Sequence, residues 1–177
     1  DVANILTLPS ENKDESLSVL MPVRNGEATL VAALADIAAG LKEHDELLVI
    51  NDGSSDQTPE ILELLSEQIP QLRVETTDGV GLVEALNLGI REATWPWIAR
   101  ADADDRYPAA RLPVQRVARA SGVAAVTGDY QVVGPARPTV IPCALGSKFV
   151  GLSLLHPQRF PHPGVLFHHD AVVEAGG

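Results

Sequence analysis

Three short apolar runs each break into a polar turn, and that repeat constrains the chain more than any other feature. Leu17-Ser18-Val19-Leu20-Met21 is closed by Pro22 and followed by Asn25-Gly26. Glu46 to Ile50 runs into Asn51-Asp52-Gly53-Ser54-Ser55-Asp56, and Trp97 to Ala101 runs into Asp102-Ala103-Asp104-Asp105. Runs this short and this apolar suit buried strands better than helices. Between them, Ala28 to Leu41 carries apolar residues at helical spacing, and Thr58-Pro59-Glu60 opens a helix through about Gln68. Leu72 to Glu75 is expected as a third strand, Gly81 to Ala93 as a helix, Pro108 to Ser121 as another, and Val123 to Thr127 as a further strand. Strands alternating with helices at this spacing predict an α/β fold, a mostly parallel sheet with helices on both faces. Residues 129 to 162 lack a helical period and are expected to be irregular, with one or two short strands.

A length of 177 residues fits one domain. We read residues 1–16 as a polar leader and 17–177 as the domain. With 45% hydrophobic residues a core is available, and 13 Lys and Arg against 24 Asp and Glu leave a net charge of -11. Such a surface repels a polyphosphate backbone, so nucleic acid is not an expected partner. The single cysteine, Cys143, cannot form an internal disulfide and suits a reducing compartment. No stretch has the roughly 18 to 20 apolar residues of a membrane span, and no basic-then-apolar signal opens the chain. The expectation is a soluble, cytoplasmic protein with no transmembrane segment.

In open α/β sheets ligands bind beyond the carboxyl ends of the strands, where the polar clusters fall here. Asp102-Ala103-Asp104, with Asp105 beside it, places three carboxylates together, and like charges so close disfavour their joint ionised state. A cation should offset them. Ligation by one or two carboxylates leaves positions for water and phosphate oxygens, the usual way Mg²⁺ or Mn²⁺ is held beside a diphosphate. Acidic residues at a strand end also cap helices and shape turns, but the position beside two other polar strand ends favours the cation. Asp52 could accept from a ribose hydroxyl or a base N–H, or form an Asx turn with Gly53-Ser54. A dinucleotide fingerprint is absent after the first strand, Gly79-Val80-Gly81 begins a similar string but Glu84 stands where its third glycine belongs, and no Walker loop occurs.

Four motifs in order carry a resemblance. They are Ser18 to Gly26, Val49 to Asp56, Gly81-Leu82 with Ala85 to Ile90, and Ala99 to Asp105, continued by Pro108, Arg111, Gln115 and His162-Pro163-Gly164-Val165-Leu166-Phe167. Together they resemble the inverting family 2 glycosyltransferases of GT-A fold, in particular bacterial enzymes that modify surface polysaccharides. The resemblance implies a Rossmann-like sheet and a donor site for a nucleoside-diphosphate sugar, a UDP-sugar first. Pro22, Val23, Arg24, Asn25, Glu27 and Asp52 would contact the base and ribose, Asp102 the ribose or metal, and Asp104 would be the principal metal ligand. Asn87 would support the nucleotide from its helix, and Arg100 would pair internally with the acidic loop. His162 would line the diphosphate or the acceptor side, or simply form a turn.

The implied reaction is inverting transfer to a hydroxyl of a glycan or lipid-linked acceptor, at the inner face of the membrane in the latter case. The family's base lies shortly beyond a Gly-Gly after the His-Pro segment, and here Gly176-Gly177 end the chain. The expectation is thus a truncated donor-binding domain with no base assigned. A nucleotide-sugar-binding fragment without transfer, or a nucleotidyltransferase, are the alternatives. His168-His169 are expected to be surface residues, since neighbours on a strand face opposite ways and cannot share an ion. Trp95 and Trp97 are expected to pack and to shape the turn at Pro96.

Overall fold

The computed structural model describes residues 16–119, 125–132, 139–141 and 164–174. The elements in order are β1 (Ser18–Val23), α1 (Leu30–Ala38), β2 (Glu46–Asp52), α2 (Thr58–Ser66), β3 (Leu72–Thr77), α3 (Leu82–Glu92), β4 (Trp97–Arg100), α4 (Arg111–Ala118), β5 (Ala125–Val126), β6 (Tyr130–Val132), β7 (Thr139–Ile141), β8 (Leu166–His168) and α5 (His169–Glu174). Six strands form one sheet in the order β3-β2-β1-β4-β8-β5, and β6 and β7 pair separately. β3, β2, β1 and β4 run parallel, while β8 is antiparallel to both β4 and β5.

Strand alternation assigns each side chain to one of two cores. Val19, Met21 and Val23 of β1, with Leu47 and Val49 of β2, face a layer completed by Leu30, Ala33, Leu34 and Ile37 of α1, Leu62 of α2 and Leu112 of α4. Leu20, Leu48, Ile50 and Ile98 face the other way, onto Ala85 of α3. Every residue of β1 and β2 is buried because both faces of these strands are covered. The apolar stripe of α1 recurs at intervals of three and four residues, as a helix seated on a sheet requires.

Two expectations are revised. Pro22 continues β1 opposite Ile50 instead of closing it. Leu20 accepts from Ala101 on the β4 side, so Pro22, two residues on, turns its missing N–H the same way, beyond Leu20, the last β1 residue paired with β4. The sheet also takes β8, from far along the chain, between β4 and β5, a position no local pattern announces. The leader at 1–15, and most of the stretch expected to be irregular, lie outside the described residues; within that stretch the described pieces form the β6–β7 pair.

Candidate functional site

Because β1, β2 and β4 are parallel neighbours, their carboxyl ends and the loops that follow share one edge of the sheet. Two loops there are stitched together. The Asn25 N–H donates to Ser54 Oγ at 2.9 Å, and the Ser55 N–H donates to Asn25 Oδ1 at 2.8 Å. The Gly26 N–H donates to Thr58 Oγ1 at 2.8 Å and the Glu27 N–H to Asp56 Oδ2 at 3.1 Å, while Glu27 Oε2 accepts from the Gln57 N–H at 3.1 Å. Asn25 holds a left-handed backbone, φ 55, which its short polar side chain tolerates. Of the residues assigned to the nucleotide, Asn25 and Glu27 therefore have their side-chain oxygens engaged in this clasp. The same loop reaches the acidic loop: a Cβ at Gly26 would sit 3.8 Å from that of Ala103 and only 2.6 Å from a methyl of Val23.

Asp52, at the end of β2, is buried and accepts three hydrogen bonds, from Thr77 Oγ1 at 2.6 Å and from the N–H groups of Val80 at 2.7 Å and Gly81 at 2.9 Å. It thereby fastens the β3–α3 loop and the start of α3. These bonds, the Thr77 hydroxyl first, hold its carboxyl below the ordinary range against the opposing effect of burial, and the charge of Arg24 adds to them. The alternative of an Asx turn at Asp52 is not taken up, since its carboxylate goes to Thr77, Val80 and Gly81; its neighbour Asn51 instead accepts from the Ser54 N–H, three residues on, at 3.2 Å. The exposed Arg24 lies over Gly79, where an added Cβ would be 3.6 Å from Nη1. Pro22, Val23, Arg24, Asp52, Gly81, Leu82 and Ala85 line a cleft of about 180 Å³. Asn87 is half-buried farther along α3 and is not among the lining residues.

Beyond β4, Arg100 is buried and its Nη2 pairs with Asp102 Oδ1 at 2.7 Å. Asp102 is also held through its backbone: its N–H donates to the Tyr107 hydroxyl at 2.6 Å, and that hydroxyl donates to its carbonyl at 3.1 Å. Desolvation, with the charges of Asp102 and Asp104, raises the Asp105 carboxyl above its ordinary value, opposed by Arg100 and Arg111. Asp104 is exposed and has no hydrogen-bond or ion-pair partner among the described residues. Among those residues no three His, Cys, Asp or Glu side chains could hold an ion by themselves. The donor set fits a hard cation only if a diphosphate and water complete its shell around one or two carboxylates, which is the coordination Mg²⁺ accepts.

Of the histidines, His162 lies outside the described residues. His168 and His169 are partly exposed, each with its own neighbour. The His168 ring meets the Trp97 ring edge-on, 5.2 Å between centroids, and His169 Nδ1 lies 2.9 Å from Asp170 Oδ1. Trp95 and Trp97 are both part-buried, with Trp97 packed against the main core. Sequence reasoning missed Tyr107, Thr77 and Asn51 as parts of the site; only Asn51, a turn-former at a strand end, carried a local signal.

Comparison with known proteins bears on the family and the fold. The family model for "Glycosyl transferase family 2" matches residues 18–129. A poly-beta-1,6-N-acetyl-D-glucosamine synthase of Staphylococcus aureus (strain COL) is 33% identical over 98 residues, 54% of this chain and 24% of that protein. The glycosyltransferase YibD of Escherichia coli (strain K12), itself uncharacterized, is 33% identical over 98 residues, 55% of this chain and 28% of its own length. The match thus spans about a quarter of each relative. Among solved structures, the mannosyltransferase PcManGT from Pyrobaculum calidifontis, in complex with GDP-Man and Mn2+, superposes with a TM-score of 0.68 at 20% identity, covering 91% of this chain and 46% of that one. S. aureus TarS 1-349 superposes with a TM-score of 0.69 at 18% identity, covering 90% and 49%. A complex of TarS 1-349 with UDP-GlcNAc aligns over 58% of this chain and 30% of that one, with a TM-score of 0.54 at 24% identity.

Proposed function

The chain belongs to glycosyl transferase family 2 and has the GT-A fold, and from that premise we propose that it binds a nucleoside-diphosphate sugar, with a divalent cation, for inverting transfer to an acceptor hydroxyl. The observation that carries the reading is the shared edge. The cleft at the ends of β1 and β2 and the unpartnered carboxylate of Asp104 beyond β4 lie on linked loops, so a nucleotide in the cleft can extend its diphosphate toward the acidic loop.

Pro22, Val23 and Arg24 form the wall against which the base and ribose rest, and Arg24 supplies the cleft's cationic side chain. Asp52 shapes the floor through α3. Asp104, with Asp102, holds Mg²⁺ or Mn²⁺. When bound, that ion neutralises charge developing on the departing diphosphate, the electrostatic term expected to dominate such a transfer. The acceptor hydroxyl attacks the anomeric carbon from the face opposite the leaving group and yields a proton to a base not assigned to any described residue. The similar structures carry UDP-GlcNAc in one case and GDP-Man in another; we place UDP-sugars first as donor, with a glycan or lipid-linked acceptor met in the cytoplasm or at the inner membrane face. No helix among the described residues is long and apolar enough to cross a membrane.

Calorimetric titration of UDP and of GDP, each with and without Mn²⁺, tests this. Metal-dependent binding is expected, with an affinity loss of at least about tenfold in Asp104→Ala, or about 1.4 kcal/mol. The exposed position of Asp104 leaves the melting temperature nearly unchanged. Metal-independent binding, or none, would overturn the donor-site reading.

A further inference from the structure

We propose that Tyr107 is the positioning residue of the acidic loop, its phenol locking the backbone of Asp102 so that Asp104 presents its carboxylate to the cation. The inference rests on the donor-site reading above. One hydroxyl bonds both backbone groups of a single residue, accepting from the Asp102 N–H at 2.6 Å and donating to the Asp102 carbonyl at 3.1 Å. Neither flanking peptide of Asp102 can rotate without breaking one of these bonds. Because Arg100 holds Oδ1 of the same residue, Asp102 is fixed through its N–H, its carbonyl and one carboxylate oxygen, and the exposed carboxylate of Asp104 follows two positions later.

Tyr107 is itself held from two directions. Its N–H donates at 3.1 Å to Oδ2 of Asp36 on α1, which also takes the forked guanidinium of Arg106 at 2.5 and 3.0 Å. The Arg111 guanidinium lies over the ring, 4.8 Å from its centroid, and Arg111 Nη2 donates to the carbonyl of Arg100 at 2.6 Å. Helices α1 and α4 are in this way tied to the geometry of the loop. Supporting groups of this kind typically change metal affinity 10- to 100-fold, roughly, when removed.

Tyr107→Phe keeps the ring and its stacking but neither hydroxyl bond. With the whole chain, Mn²⁺ affinity in the presence of UDP is read by electron paramagnetic resonance, amide exchange by mass spectrometry, and melting by calorimetry. Mn²⁺ binding about tenfold weaker, with faster exchange of the Asp102 amide, is expected in Tyr107→Phe. Val117→Ala, an exposed position on α4 outside this network, is expected to keep wild-type Mn²⁺ affinity. Wild-type binding in Tyr107→Phe, or equal losses in both variants, would overturn the positioning role alone. A wild-type protein that binds no Mn²⁺ with UDP would overturn the donor-site reading and this inference together.

Discussion

The Thr77 hydroxyl donates to Oδ1 of Asp52 at 2.6 Å, joining the ends of β3 and β2 at the point where α3 begins. With the Val80 and Gly81 N–H groups on the same carboxylate, Asp52→Ala strands three donors and is expected to cost about 1–3 kcal/mol of stability at neutral pH. The folded-state value is depressed, so the carboxylate's contribution is complete above the ordinary value of 3.8 and is lost as pH falls through the depressed one. Urea unfolding of wild type and variant should therefore show a gap that is constant near neutrality and narrows below about pH 4. A gap of the same size at pH 7 and pH 3 would refute the assignment.

Asn25 supports the clasp by conformation and by its acceptor, and two substitutions separate the contributions. Alanine strains the left-handed backbone, by about 1 kcal/mol, and also removes the acceptor for Ser55. Glycine relieves the strain only. We expect Asn25→Gly to be more stable than Asn25→Ala in thermal melts, and both to weaken UDP binding severalfold, because Val23 and Arg24 next to the clasp line the cleft. Wild-type UDP affinity in either variant would show that the clasp does not set the cleft wall.

The layered architecture was legible because its cause is local. Consecutive apolar residues in β1 and β2 require cover on both faces, and the helical spacing between them supplies it. The three polar strand ends were legible for the same reason. What escaped notice depends on distant partners. The carboxylate of Asp52 is engaged by residues 77 to 81, so nothing beside it distinguishes a nucleotide contact from a brace. Asn51 and Asp52 are adjacent acceptors at one strand end, and alternation, which turns them to opposite sides, gave the local turn to Asn51. The three residues of β8 are too few for any periodicity to show, and the return of the Tyr107 hydroxyl to Asp102 is a tertiary fact.

At the opposite end of the sheet, Arg116 of α4 pairs with the fully buried carboxylate of Asp45, which also accepts from the N–H groups of Leu17 at 3.1 Å and Lys42 at 2.6 Å. Removing one partner of a buried pair leaves a charge stranded, so Arg116→Met should cost about 3–5 kcal/mol. Replacing both, as Arg116→Met with Asp45→Leu, is often neutral elsewhere. Here the two N–H groups would be left without their acceptor, and the double variant should remain destabilised in urea titrations. Recovery to wild-type stability would mean that the backbone bonds to Asp45 contribute little.

At Gly89, α3 packs tightly on β1: an added Cβ would lie 2.1 Å from one methyl of Leu20 and 2.9 Å from the other. Alanine gains about 1 kcal/mol in helix propensity, and overpacking costs about 1–3 kcal/mol. Leu20 is 1% exposed and has little room to yield, so the clash wins and Gly89→Ala should be destabilising. The two positions share one space, which makes their effects interdependent. Leu20→Ala alone opens a cavity at a cost of about 2–5 kcal/mol, and the methyl at position 89 fills part of it. The double variant should then be more stable in urea than the sum of the single losses predicts, whereas strict additivity would place the Leu20 side chain away from α3.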